Sequence, residues 1–144
     1  MDGTGELSCA DCFETWYRNT VNNRSEKTVL PGLVPSTTFL CVEKDGGKLV
    51  GMIDIRHRLN DGLLKHGGHI GYSVRPSCRR KGYAVEMLSL GLEECRKLGI
   101  TRALVTCDNT NIASAKTILR NGGILENELP NGDVITQRYW ISVS

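Results

Sequence analysis

Three consecutive basic residues, Arg79-Arg80-Lys81, stand directly before Gly82, and Tyr83-Ala84 opens the run that follows. Lys65 and Arg75 fall in the same window, and no acid occurs between Asp61 and Glu86, so the local field is positive. Gly82 lets the backbone approach a bulky anion, and small Ala84 keeps the entrance to the next element open. If that element is a helix, its first N–H groups lack internal partners and its dipole adds positive charge at the same place. The chemistry such a turn supports is the binding of a phosphate or pyrophosphate. A solvated Arg/Lys loop before a helix fits the same spacing.

The flanking elements must hold that turn in place. Ile70, Tyr72 and Val74 alternate with smaller residues, as a strand requires, and Pro76 ends the strand for want of an N–H. From Val85 the period changes to a helical one. Val85, Leu88, Leu92 and Cys95 form an apolar stripe, widened by Met87, Leu90 and Leu98, while Glu86, Glu93, Glu94, Arg96 and Lys97 keep a solvated face. Gly99 is a left-handed stop. The unit is strand, basic glycine turn, helix.

Upstream, 1–11 is polar and expected to be loose. Cys12 to Arg24 carries Phe13, Trp16, Tyr17 and Val21, spaced for one face of a helix, and 22–35 reads as a loop broken by Pro31-Gly32 and Pro35. Thr38 to Glu43 and Lys48 to Ile55 form a hairpin about Lys44-Asp45-Gly46-Gly47. Downstream, Arg102 to Cys107 is a short β-rich run, Asp108 to Asn111 caps a helix from about Ile112 to Arg120, and Ile124 to Leu129 and Val134 to Val143 make a final hairpin.

Length and composition set bounds. A chain of 144 residues suits one domain, 1–144, with one core. A net charge of +2 argues for neither nucleic-acid nor membrane binding, and no apolar run approaches a membrane span. With no basic and apolar leader, the cytoplasm is the expected location. The six cysteines include Cys9-x-x-Cys12, but no strand precedes it as in a redox unit. The other cysteines and His57, His66 and His69 lack zinc-site spacing, so no metal is expected and reduced thiols are the better reading.

Arg79 to Ala84 resembles the Arg/Gln-x-x-Gly-x-Gly/Ala signature of the GNAT superfamily of acetyl-CoA-dependent N-acetyltransferases. Val74-Arg75-Pro76 matches that family's Val-x-Pro strand end. Asn111-Ile112-Ala113-Ser114 and Asn121-Gly122-Gly123 look like its next helix and glycine exit. The ordered set spans roughly Phe39 to Ile141. One departure stands out: nothing in 1–37 makes the strand with which the family opens, and the acceptor pocket is the part this touches.

The resemblance implies a mixed α/β, mostly antiparallel twisted sheet flanked by helices, with acetyl-CoA lying where two parallel strands diverge. Its pantetheine would bond to the backbone near Tyr72, Ser73 and Val74. Its pyrophosphate would sit on Arg79, Arg80, Lys81, Gly82, Tyr83 and Ala84, with Asn111 also on the donor side. Many members carry a tyrosine on the helix after Asn111 to help the leaving thiolate; counting along the motif puts Ile118 there. Ser114 occupies the position of a serine proposed for that task in the branch resembling ribosomal-protein N-terminal acetyltransferases. The sequence does not single out the base: His69 begins the central strand, and Arg56 to Arg58 lie near where an acceptor could enter. Glu126 and Glu128 alternate onto one face of the penultimate strand, where some relatives place an acid, with Glu128 carried as the candidate.

The expected activity is acetyl transfer to a primary amine, either a small molecule or a protein N-terminus, with a homodimer admitted as the assembly. A non-catalytic CoA-binding module of the same fold is the alternative. A nucleic-acid binder using Arg79 to Lys81 ranks last, because Tyr83 is the only aromatic interleaved there.

Overall fold

The structure, a computed structural model, describes residues 12–143; the stretch 1–11 expected to be loose, and with it Cys9, lie outside the described residues. The chain runs through α1 (Phe13–Asn22), β1 (Ser36–Val42), β2 (Leu49–Arg56), a π-helical turn (Leu63–Gly67) and β3 (Ile70–Val74). A 3-10 turn (Pro76–Cys78), α2 (Tyr83–Lys97), β4 (Arg102–Asp108), α3 (Ile112–Arg120), β5 (Ile124–Asn131) and β6 (Val134–Ser142) follow. The strands form one sheet in the order β1-β2-β3-β4-β6-β5. Each neighbouring pair is antiparallel except β3 with β4, which is parallel. This is the mixed α/β class that the sequence implied. Among the described residues no strand precedes β1.

Strand alternation gives the sheet two unlike faces. Ile53, Ile55, Ile70, Val105, Tyr139 and Ile141 project to the helix face and join Met87, Leu88 and Cys95 of α2 and Ile118 of α3 in one apolar cluster. Ile55, Leu88 and Ile118 are completely buried, each burial stabilising by about 1.5–3 kcal/mol. Gly91 sets the spacing: a Cβ there would lie 2.7 Å from Ile53 Cδ1, so its absence lets α2 press onto β2.

The other face is polar and holds the π-helical turn by its carbonyls. Arg56 donates to Gly67 O (3.2 Å), Thr106 to His66 O (2.7 Å) and Arg138 to Leu64 O (2.9 Å). Asp54, buried on the same face, accepts from Thr38 at 2.9 Å and pairs with Arg56 at 3.1 Å. Buried polar groups require such partners.

The first helix differs from its expected form. Phe13, Tyr17 and Val21, spaced by four, make an exposed stripe, while Trp16 is buried. Trp16 lies about a quarter-turn round from that stripe, on the side shared with the buried Asn23, whose Oδ1 accepts from Leu30 N–H at 3.0 Å. Aromatic spacing alone did not tell which side turns inward.

Candidate active site

The register of β3 and β4 places one pair opposite each other, Ile70 with Val105. Beyond it, β3 stays laddered to β2 through Tyr72, Ser73 and Val74, whereas β4 ladders to β6 through Asp108. The two parallel strands therefore share an origin and then part. Arg75 N–H donates to Val50 O at 2.7 Å, so alternation directs the backbone groups of Tyr72 and Val74 toward the β4 side.

The basic turn begins where β3 ends. Arg80 has φ 64° and Gly82 φ 83°, so the chain twice enters the left-handed region before α2 starts. An added Cβ at Gly82 would meet no atom within 4 Å; the position needs glycine for its backbone angle and the open space in front of it. Gly82 is the N-cap of α2 and supplies no side-chain cap, which leaves the N–H groups of the first turn to an external acceptor. Arg79 turns back and donates through Nε to Val74 O at 3.1 Å, pinning the turn to the strand end. Tyr83 points away from it, its hydroxyl donating to Glu43 at 3.2 Å, so only its backbone faces the turn. Arg80 and Lys81 are exposed.

Across the opening, Asn111 caps α3 by accepting from Ser114 N–H at 3.1 Å. Capping explains the Asn-x-x-Ser spacing and fixes the serine in the first turn. Ser114 Oγ lies 2.8 Å from the phenolic oxygen of Tyr72, so a side chain of β3 reaches α3 over the point where β3 and β4 part. This contact was not legible in the sequence, where Tyr72 reads only as a strand residue with a donor-side backbone. Ile118, which the motif count puts where many family members carry a tyrosine, is wholly buried in the core, with Gly123 packed close against it.

The two glutamates of β5 do not share a face. A bulge between Leu125 and Asn127 shifts the register, which strict alternation could not anticipate. Glu126 accepts from Arg138 and, at 2.9 Å, from Trp140 Nε1, and these donors hold its carboxyl below the usual range. Glu128 pairs instead with Gln137, whose side chain accepts from Tyr139 O–H at 3.1 Å on the helix face. Cys107 is Gln137's neighbour on β4, so Tyr72, Cys107, Gln137 and Glu128 lie along one row of that face. Glu128 is exposed and three strands along from β3, farther than the roughly 14 Å of three regular strand spacings because β3 and β4 have parted at this row.

His69 is buried at the base of the opening, and burial together with the charge of Arg56 pushes its pKa down. Its Nδ1 accepts from Leu104 N–H at 2.9 Å, which makes it a structural acceptor.

Residues 6–122 match the profile of the Acetyltransferase (GNAT) family. The chain belongs to the GNAT family. No curated protein matches it. Among solved structures it is similar to a Vibrio cholerae protein described as a ribosomal-protein-serine acetyltransferase, with 24% identity and TM-score 0.60 over 74% of this chain and 64% of that one. A Salmonella typhimurium protein described as an acetyltransferase, solved with its cofactor acetyl-CoA, gives 18% identity and TM-score 0.55 over 68% of this chain and 60% of that one. A Vibrio cholerae spermidine N-acetyltransferase gives 14% identity and TM-score 0.62 over 75% of this chain and 66% of that one. The GNAT chain described here thus spans less than two thirds of the length of each of these neighbours. At such identities the likeness establishes the fold.

Proposed function

We propose that this GNAT domain transfers the acetyl group of acetyl-CoA to a primary amine in a ternary complex. The observation that carries the reading is the parting of β3 from β4 directly before a basic glycine turn at the N-terminus of α2. An extended thioester fits the first feature and a pyrophosphate the second. Acetyl-CoA supplies the activated acyl group; the residues supply its position.

In this reading the first-turn N–H groups of α2, with Arg80 and Lys81, hold the pyrophosphate. The backbone of Tyr72 to Val74 holds the pantetheine, and a β3 N–H polarises the thioester carbonyl as a preorganised donor. Asn111 keeps Ser114 in place at the leaving sulfur. The attacking amine must be neutral, and Glu128 takes its proton through solvent water, given its distance from β3.

The acceptor class is a primary amine, whether a polyamine-like small molecule or a protein N-terminus; the spermidine and ribosomal-protein enzymes among the neighbours support both. A cytoplasmic location accords with free thiols at Cys12, Cys41, Cys78, Cys95 and Cys107. Among the described residues no helix is long and apolar enough to cross a membrane.

A CoA-binding module without catalysis is the second reading, favoured by the burial of Ile118 where the family tyrosine would stand. Melting the protein with acetyl-CoA tests the donor site, since a ligand of the folded state alone raises the melting temperature. No shift at millimolar acetyl-CoA would sink both readings. Release of CoA thiol across an amine library then separates enzyme from module.

A further inference from the structure

The family tyrosine position on α3 is filled by Ile118, which is buried in the core cluster and cannot reach the opening. A phenol nevertheless stands there, delivered from the opposite wall. Tyr72 follows Ile70 by two residues on β3, as Cys107 follows Val105 on β4, so Tyr72 and Cys107 flank the opening on the helix face. From that position the Tyr72 hydroxyl meets Ser114 Oγ at 2.8 Å. Both side chains are only half-buried, and Asn111 holds the Ser114 backbone from the other side.

We infer that Tyr72 is a positioning residue for the leaving thiolate, acting through Ser114. The inference rests on the acetyl-transfer reading above. A phenol is the more acidic hydroxyl of the pair and is the better donor. With Tyr72 O–H donating into Ser114 Oγ, the serine keeps its own proton for another acceptor. Hydrogen bonds in such a chain polarise one another, so the serine becomes the stronger donor.

The amine nitrogen forms the C–N bond at the acetyl carbon, and the C–S bond breaks with its electron pair retained by sulfur. The proton lost by the nitrogen passes through water to Glu128 and from there to solvent. The new charge on sulfur accepts the Ser114 O–H, and solvent later returns a proton to give the free thiol. Tyr72 and Ser114 end as they began, and no further reactant is needed.

The test uses bound CoA, so it needs no acceptor. The thiol of CoA bound to the parent protein, followed by the ultraviolet absorption of its thiolate against the ligand-free protein, should titrate at lower pH than free CoA. Tyr72→Phe keeps the ring and removes the hydroxyl; it should raise that titration part of the way back, and Ser114→Ala at least as far. The double variant should match Ser114→Ala, because Tyr72 acts through the serine. In turnover, Tyr72→Phe should lower kcat roughly tenfold while acetyl-CoA affinity stays within about twofold, the split expected of an interaction made as the thiolate develops. A Tyr72→Phe protein with the parent's thiol titration, or a double variant in which the two effects add, overturns the inference. CoA bound with an unshifted thiol in the parent overturns it alone. CoA that does not raise the parent's melting temperature removes the donor reading, and this inference with it.

Discussion

His69 and Leu104 are joined twice at the root of the opening. The His69 N–H donates to Leu104 O at 2.7 Å, and the Leu104 N–H donates to the His69 ring at Nδ1 at 2.9 Å. In a regular parallel ladder a β3 carbonyl would accept that second N–H. Here a side chain takes the place, and the clip fastens the two strands together just before the Ile70–Val105 pair, beyond which they part. Gly68 permits the approach: a Cβ on it would lie 2.5 Å from Leu104 O. The opening between β3 and β4 is hinged on this pair.

A pH dependence of stability follows. An accepting Nδ1 must be unprotonated, and burial with the Arg56 charge holds the His69 pKa below its ordinary value. The unfolded chain therefore takes up the proton first. Stability should be level above about pH 6.5 and fall as the pH drops through the window between the unfolded and the lower folded pKa. His57, half-buried and also lowered by burial, adds to the slope. His69→Asn offers an acceptor at the same place without titrating, so thermal melts from pH 8 to 5 should flatten but not become level. His69→Leu should cost about 1–3 kcal/mol at pH 8 by orphaning the Leu104 N–H. An unchanged pH slope in His69→Asn would contradict the role of the ring.

For the turn, Gly82→Val should weaken acetyl-CoA binding by tenfold or more. The expected damage is conformational, since a branched residue at φ 83° is strained by about 1–3 kcal/mol, whereas the space around it is open. Arg80→Gly removes a charge and relieves the strain at φ 64°, so it should cost binding only a few-fold without lowering the melting temperature. Calorimetric titration of both variants with acetyl-CoA checks this. Normal binding by Gly82→Val beside abolished binding by Arg80→Gly would make the turn a charge patch and no backbone cradle.

Ser114→Ala and Asn111→Ala should part company. The cap uses the Asn111 side chain and the Ser114 backbone, so Ser114→Ala leaves it in place. Turnover should fall about a hundredfold, as expected when one preorganised donor to a developing anion is removed, with donor affinity almost unchanged. Asn111→Ala should instead lower stability by about 1 kcal/mol, read by a denaturant melt. An unchanged kcat in Ser114→Ala would remove the serine from the chemistry.

The strand-turn-helix unit was legible because its signals are local: the alternation of Ile70, Tyr72 and Val74, the glycine at 82, and the stripe from Val85 onward. The observed α2 begins two residues earlier, at Tyr83. The functional pairings were not legible. Tyr72 and Ser114 are 42 residues apart and meet only once α3 has packed against α2 and β4. The His69 clip depends likewise on a contact across 35 residues. The π-helical turn at Leu63–Gly67 carries no periodic signal of its own and is held by Arg56, Thr106 and Arg138 from three strands. The β5 bulge reversed the relation of Glu126 to Glu128, because one inserted residue moves a side chain to the opposite face.

Glu128→Gln separates a base from a solvated strand carboxylate. Acting through water, the carboxylate should matter most where the acceptor amine is mainly protonated. The variant should lose rate below about pH 8 and recover as the pH rises and neutral amine becomes abundant. A rate profile parallel to the parent's across pH would leave Glu128 without a part in proton removal.

The central claim is acetyl transfer, and the measurement that meets it most directly is an acetyl balance. Acetyl-CoA labelled in the acetyl group is incubated with the parent protein and a panel of primary amines, including spermidine and peptides with free N-termini. Free CoA thiol and labelled amine are counted together. The account predicts that at least one amine gains label in step with thiol release, well above the uncatalysed rate, and that Ser114→Ala slows both alike. Acetyl-CoA that raises the melting temperature while neither thiol nor labelled amine appears with any member of the panel would contradict it.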